Sequence, residues 1–156
     1  MMLNRLTLFF LLCLCGCKES LQIGVGSTEQ PSKVFVQSFH EGVRLKLQGN
    51  YSEAIDRFKI CLENQPSDDA THFALAQTYL LLGDLQKAEA HTISAVQADR
   101  DNIFYQVELA YMLREKGVFN EAAELFEVIA ESRTRNTEYY LAAIDCYKRS
   151  GSYSKA

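Results

Sequence analysis

The residues that could do chemistry in this chain are three histidines, five cysteines and a scatter of carboxylates, and their spacing decides what is open to them. His40, His72 and His91 each lack a second ligand at helical spacing, so the sequence assembles no metal site from them. For Asp56, Glu89 and Glu124, expected on helix faces, the sequence argues no facing partner, which leaves general acid–base chemistry unsupported and reads as solvated surface. Cys13, Cys15 and Cys17 lie in or just after an apolar run, where nothing polar would help them hold a metal. Cys61 and Cys146 fall, by the periodic register set out below, in helices of different repeats, too far apart in space to bridge, and read as small buried residues. Glycine-rich phosphate loops, nucleophile elbows and metalloprotease motifs are missing from the sequence. The sequence thus names no catalytic residue, no cofactor and no metal ligand, and no small-molecule substrate is evident.

What positions the cysteines at the front is a short leader. Met1 to Arg5 carries one positive charge and Leu6 to Leu14 is apolar apart from Thr7. That run is too short to span a bilayer, which needs about 20 apolar residues, and has the length of a signal-peptide core. Leu14-Cys15-Gly16-Cys17 resembles the bacterial lipoprotein signal: an apolar residue, two small residues, then a cysteine. The resemblance implies removal of residues 1–16, acylation of Cys17 and a lipid anchor in the membrane. An ordinary cleaved signal or an N-terminal anchor is the alternative. Lys18-Glu19 resembles the charged tag of some surface-exported lipoproteins, and no Asp follows Cys17, so the expected place is the cell envelope, extracytoplasmic and at the outer membrane. Residues 17–34 contain Gly24, Gly26 and Pro31 and have no helical period; they read as a flexible tether.

The body of the chain must then be a folded part, and it is periodic. Gly49, Gly83, Gly117 and Gly151 are separated by 34 residues each time. Tyr51, Leu85, Phe119 and Tyr153 follow two places later, and Ala54, Ala88, Ala122 and Ala156 five places later. Leu75, Ala76 and Tyr79, and again Leu109, Ala110 and Leu113, recur at the spacing of an amphipathic helix. Asp68, Asn102 and Asn136 stand ready as N-caps, Asp84 and Ser152 likewise, and Asn50 to Glu53 offers a capping box. With 16 Lys plus Arg against 20 Asp plus Glu and no basic run, nucleic acid is set aside as a partner.

This register resembles the tetratricopeptide repeat. Its first-helix small position holds Gly42, Ala76, Ala110 and Ile144; its second-helix aromatic position holds Phe58, Thr92 and Phe126; its closing proline is present only as Pro66, with Arg100 and Thr134 departing. The resemblance implies an all-α fold, a right-handed α-solenoid of antiparallel helix pairs, with repeats at 35–68, 69–102 and 103–136 and a truncated fourth at 137–156. Stopping at Ala156 leaves Tyr140, Ile144 and Tyr147 expected to lack cover, so the chain reads as shortened; a natural stop with an imperfect cap is the alternative.

The family lines its groove with first-helix residues, which here include Phe39, Val43, Phe73, Gln77, Phe104, Tyr111 and Arg114. Phe39 and Val43 stand where the subclass that clamps a C-terminal carboxylate carries Lys and Asn, which rules against that ligand. The resemblance implies a non-enzymatic protein-binding scaffold whose groove takes an apolar or aromatic peptide segment or helix of a protein partner. Some of these aromatics packing between repeats is an equally open reading. The rival function is the sensory or input region of a longer enzyme or regulator.

Overall fold

A computed structural model describes residues 31–132, 136–152 and 154. The expected leader, Cys17 and most of the expected tether lie outside the described residues. Seven helices follow one another: α1 (Lys33–Leu47), α2 (Tyr51–Asn64), α3 (Asp69–Leu82), α4 (Leu85–Ala98), α5 (Ile103–Glu115), α6 (Phe119–Glu131) and α7 (Thr137–Ser150). The described residues contain no strand. None of these helices is long and apolar enough to cross a membrane.

Side chains set where most of the helices begin. Asp68 accepts from Thr71 N at 2.7 Å, Asn102 from Phe104 N at 3.1 Å and Asn136 from Glu138 N at 3.0 Å, satisfying amides that the first turn leaves bare. The first helix differs. Val34 occupies the place where those three residues cap, and it has nothing to accept with, so Ser32 takes over by accepting from Phe35 N at 3.1 Å. Helix α1 therefore starts at Lys33, and the last two residues of the expected 17–34 tether are helical. Asp84 caps α4 as expected, but the capping box at Asn50 does not form: neither Asn50 nor Val118 makes a side-chain bond to its helix.

The glycine column is one turn used four times. At each, the chain reverses through a left-handed residue, with φ of +76° at Gly83 and +85° at Gly117. An L side chain is strained there, and glycine is not. The next residue reaches back to an orphan carbonyl: Asn50 N to Leu45 O at 3.0 Å, and Asp84, Val118 and Ser152 to Tyr79, Leu113 and Tyr147 at 2.9 Å. So tight a reversal lays the second helix antiparallel on the first.

Ala54, Ala88 and Ala122 have no exposure at all, which allows the helices of each pair to approach closely. Gly42 shows how close: a Cβ added there would meet the Phe58 ring at 2.6 Å. The core forms two clusters. One joins Leu45, Ile55, Phe58, Leu75 and Tyr79; the other joins Ala110, Phe126, Ile129, Cys146 and Tyr147. Phe58 and Phe126, both fully buried, each contribute about 2–3 kcal/mol of transfer free energy.

One expectation about the last helix is corrected. Tyr147 does not lack cover: it is 1% exposed, packed with α6, and its hydroxyl donates to Glu127 Oε2 at 2.9 Å. The register explains this, because Leu45, Tyr79 and Tyr147 share one repeat position and all turn into the core. Burial first, then that carboxylate, pushes the Tyr147 phenol up to about 12. Cys61 and Cys146 are free and buried, and burial pushes both thiols up, away from thiolate reactivity.

Candidate partner-binding face

Helix α1 touches α3 directly as well as through α2, so side chains from the first helices of neighbouring repeats meet. Lys46 Nζ donates to Gln77 Oε1 at 2.8 Å across that junction. Partial burial holds the Lys46 ammonium below its ordinary value.

The seven expected binding residues fall into different surroundings. Phe39 is half-buried, 6.1 Å from the Phe35 ring and 5.9 Å from Phe58, and Val43 packs on the same cluster. Phe73 is half-buried against Tyr105 of the next repeat, with ring centroids 4.7 Å apart. Tyr111 meets Phe126 edge-on at 5.2 Å, and the Arg114 guanidinium lies 4.7 Å over its ring. Gln77 is half-buried and held by Lys46. Phe104 is the open one, 76% exposed. Packing between helices thus uses one face of Phe39, Phe73 and Tyr111 while leaving each partly accessible. Leu47, Leu81 and Leu141, also on first helices, are exposed.

Beside Tyr111 the structure places a cavity of about 610 Å³, walled by Leu80, Leu85, Tyr111 and Met112 and by Glu89, Glu108, Glu115 and Lys116. That volume lies within the usual span of ligand pockets, roughly 300–1,000 Å³. Sequence reasoning looked only to first helices and so missed the contribution of α4 through Leu85, Gln86 and Glu89. It also took Glu89 to have no facing partner. Lys116 reaches across the repeat boundary and donates to both of its oxygens at 2.8 Å. With its lysine mostly exposed, such a pair contributes little stability, but it orders the mouth of the cavity. Nearby, the Tyr105 hydroxyl donates to Asp69 Oδ2 at 2.8 Å, tying repeat three to repeat two, and burial followed by that carboxylate raises the phenol well above its ordinary value.

The histidines are likewise corrected. Separated by a turn in sequence, His72 on α3 and His91 on α4 come together, with Nδ1 atoms 3.0 Å apart. The signal was present only in the register: both belong to one antiparallel pair, whose facing positions helical spacing within one helix does not reveal.

Stacked antiparallel helix pairs, with no strand among the described residues, define the class as an α-solenoid. Residues 45–107 match the family model described as tetratricopeptide repeat. The same glycine turn recurs beyond that match, at Gly117 and Gly151. Residues 45–107 thus carry the tetratricopeptide-repeat pattern, and the later turns continue its glycine spacing. It is 29% identical over 113 residues to Tetratricopeptide repeat protein 21B of Xenopus laevis, covering 70% of this chain and 8% of that one. Against Tetratricopeptide repeat protein 21A of Homo sapiens the identity is 28% over 101 residues, 65% of this chain and 8% of the relative. The chain therefore spans less than a tenth of the length of these relatives. Among solved structures it is similar to MamA, residues 41 to the end, from Desulfovibrio magneticus RS-1, with a TM-score of 0.70 at 14% identity over 80% of this chain and 71% of that chain. It also resembles the first TPR of Spaghetti (RPAP3) bound to the HSP90 peptide SRMEEVD, with a TM-score of 0.63 at 22% identity over 79% of this chain and 95% of the other. At these identities the solved structures establish the fold.

Proposed function

We propose that this chain is a non-enzymatic scaffold of the bacterial cell envelope, anchored through a lipid on Cys17, that binds an apolar or aromatic segment of a protein partner along its first helices. The observation that carries the binding reading is that Phe39, Phe73, Phe104 and Tyr111, all on first helices, stay at least partly accessible, with a cavity opening beside Tyr111. A solved structure of the same fold holding a peptide supports it. The ligand differs from the acidic peptide of that structure, because Phe39 and Val43 offer no cation to a terminal carboxylate.

Panning the full chain against a displayed peptide library tests the binding. Enriched peptides should carry aromatic or large apolar residues, and Phe104→Ala should weaken them at least tenfold with helicity unchanged. Peptides enriched equally on wild type and on a Phe104→Ala, Tyr111→Ala double variant would place the binding elsewhere. The anchor is tested separately, by intact mass and membrane partition of wild type beside Cys17→Ala in a bacterial host. Loss of lipid mass and of membrane association in the variant is the expected result; identical behaviour of the two removes the envelope reading.

A further inference from the structure

His72 and His91 play no part in that face. Their rings lie 5.3 Å apart, centroid to centroid, with Nδ1 facing Nδ1 at 3.0 Å. The far side of His72 is already fixed: its Nε2 lies 3.0 Å from Pro66 O, and a carbonyl can only accept. A neutral His72 would therefore carry its proton on Nε2 and present a bare Nδ1, to which a neutral His91 would donate its own Nδ1 proton. His91 is steadied by Tyr79, stacked at 5.6 Å and 7°. Both histidines are half-buried. Two depressions reach them: one lined by Leu62, Tyr79 and His91, the other by Pro66, Ser94 and His72.

We propose that His72 and His91 form a two-imidazole site for a divalent transition ion, Cu²⁺ by preference, bound through both Nδ1 atoms with water filling its other positions. Imidazole nitrogens sit about 2.0–2.1 Å from such an ion, so two of them 3.0 Å apart subtend about 94° at it. That is the adjacent-ligand angle of a tetragonal ion; a tetrahedral one would need roughly 3.3 Å between the nitrogens. The bond from His72 Nε2–H to Pro66 O is the arrangement that ligating histidines use to hold their tautomer and ring orientation. On binding, His91 moves its proton from Nδ1 to Nε2, so the neutral pair takes the ion without net loss of a proton. His91 lies half-buried against the Tyr79 ring with its Nδ1 turned toward His72. The charged groups facing it from its neighbours are Lys59 and Glu63 of α2, which line the same depression. Lys59 is paired with Asp56 at 3.4 Å, and Lys87, over the Tyr79 ring, with Asp84 at 2.6 Å, so the nearby cations are offset.

The test is titration of the full chain with Cu²⁺ by calorimetry, with electron paramagnetic resonance of the loaded protein. One ion per chain should bind with a tetragonal spectrum split by two nitrogens. His72→Gln and His91→Gln should each weaken binding at least tenfold and reduce the splitting to one nitrogen, while His40→Gln, on α1, changes neither. Equal binding by wild type and both variants, or a spectrum dominated by sulfur from the N-terminal cysteines, overturns the proposal. Should His91→Gln lose helicity by circular dichroism, His72→Gln, at the open end of the pair, decides alone.

Discussion

At one position of the repeat, α2 and α6 place a phenylalanine, Phe58 and Phe126, whereas α4 places Thr92; all three have no exposure. The rings each anchor one of the two core clusters. Thr92 anchors none. Its hydroxyl donates to Ala88 O at 2.9 Å within its own helix and lies 3.4 Å from the Met112 sulfur. Where the aromatic is missing, α4 and α5 make the sparsest packing between consecutive helices, and the 610 Å³ cavity opens beside it. A solenoid's stability is a sum of repeat and neighbour terms, so a small residue at one such position makes a joint rather than a defect. Cavity and joint share Met112, a flexible side chain suited to adjust when something enters.

The comparison can be broken most severely at the alanines. Ala88→Asp would bury an unpaired charge, costing more than about 4 kcal/mol and abolishing helicity by circular dichroism, while Ala90→Asp, on the exposed side of the same helix, leaves the spectrum unchanged. Next come the rings: Phe58→Ala and Phe126→Ala should each cost about 3–5 kcal/mol in urea unfolding, against about 1 kcal/mol for Thr92→Ala. Equal costs at all three would remove the joint. Gly42→Ala sharpens the point on a smaller scale. Overpacking against the confined Phe58 ring costs about 1–3 kcal/mol, and the gain of up to about 1 kcal/mol in helix propensity only partly offsets it; Ala110→Gly in the third repeat, where alanine already fits beside Phe126, costs about 1 kcal/mol. Thermal midpoints of the two variants check this.

Acid should act on the middle repeat. The folded state holds His91 below its ordinary 6.5, so between that value and the lower folded one the unfolded chain binds more protons, and stability falls as pH drops through the window. Urea midpoints at falling pH should therefore decline for wild type, and His91→Gln should flatten the slope. The smallest effect is at Lys116 and Glu89, where a double-mutant cycle should return no more than about 1 kcal/mol because the lysine is mostly exposed.

How far the sequence reached follows from how local each feature is. Glycine turns, the alanine column and the caps at Asp68, Asp84, Asn102 and Asn136 depend on a few consecutive residues, and all were legible. Asn50 has the right side chain and still makes no cap, while Ser32 took a role that the register assigned to position 34. Contacts between helices were harder. The cover over Tyr147, the bond from Lys116 to Glu89 and the meeting of His72 with His91 all depend on which faces oppose each other across a turn or a repeat boundary. For the expected binding residues the register gave no depth: Phe104 is open, while Phe39 and Tyr111 are partly committed to the core.

The four glycine turns are geometrically interchangeable, each with a left-handed glycine and the same backward bond to a carbonyl five residues before the donor. A genetic consequence follows. Cutting the gene at any two of these turns removes whole helix pairs and rejoins the same backbone conformation, so recombination between repeats yields chains that stay in register, longer or shorter by one unit. The protein is thus built so that its reach can change by inheritance without redesigning any single contact inside a turn.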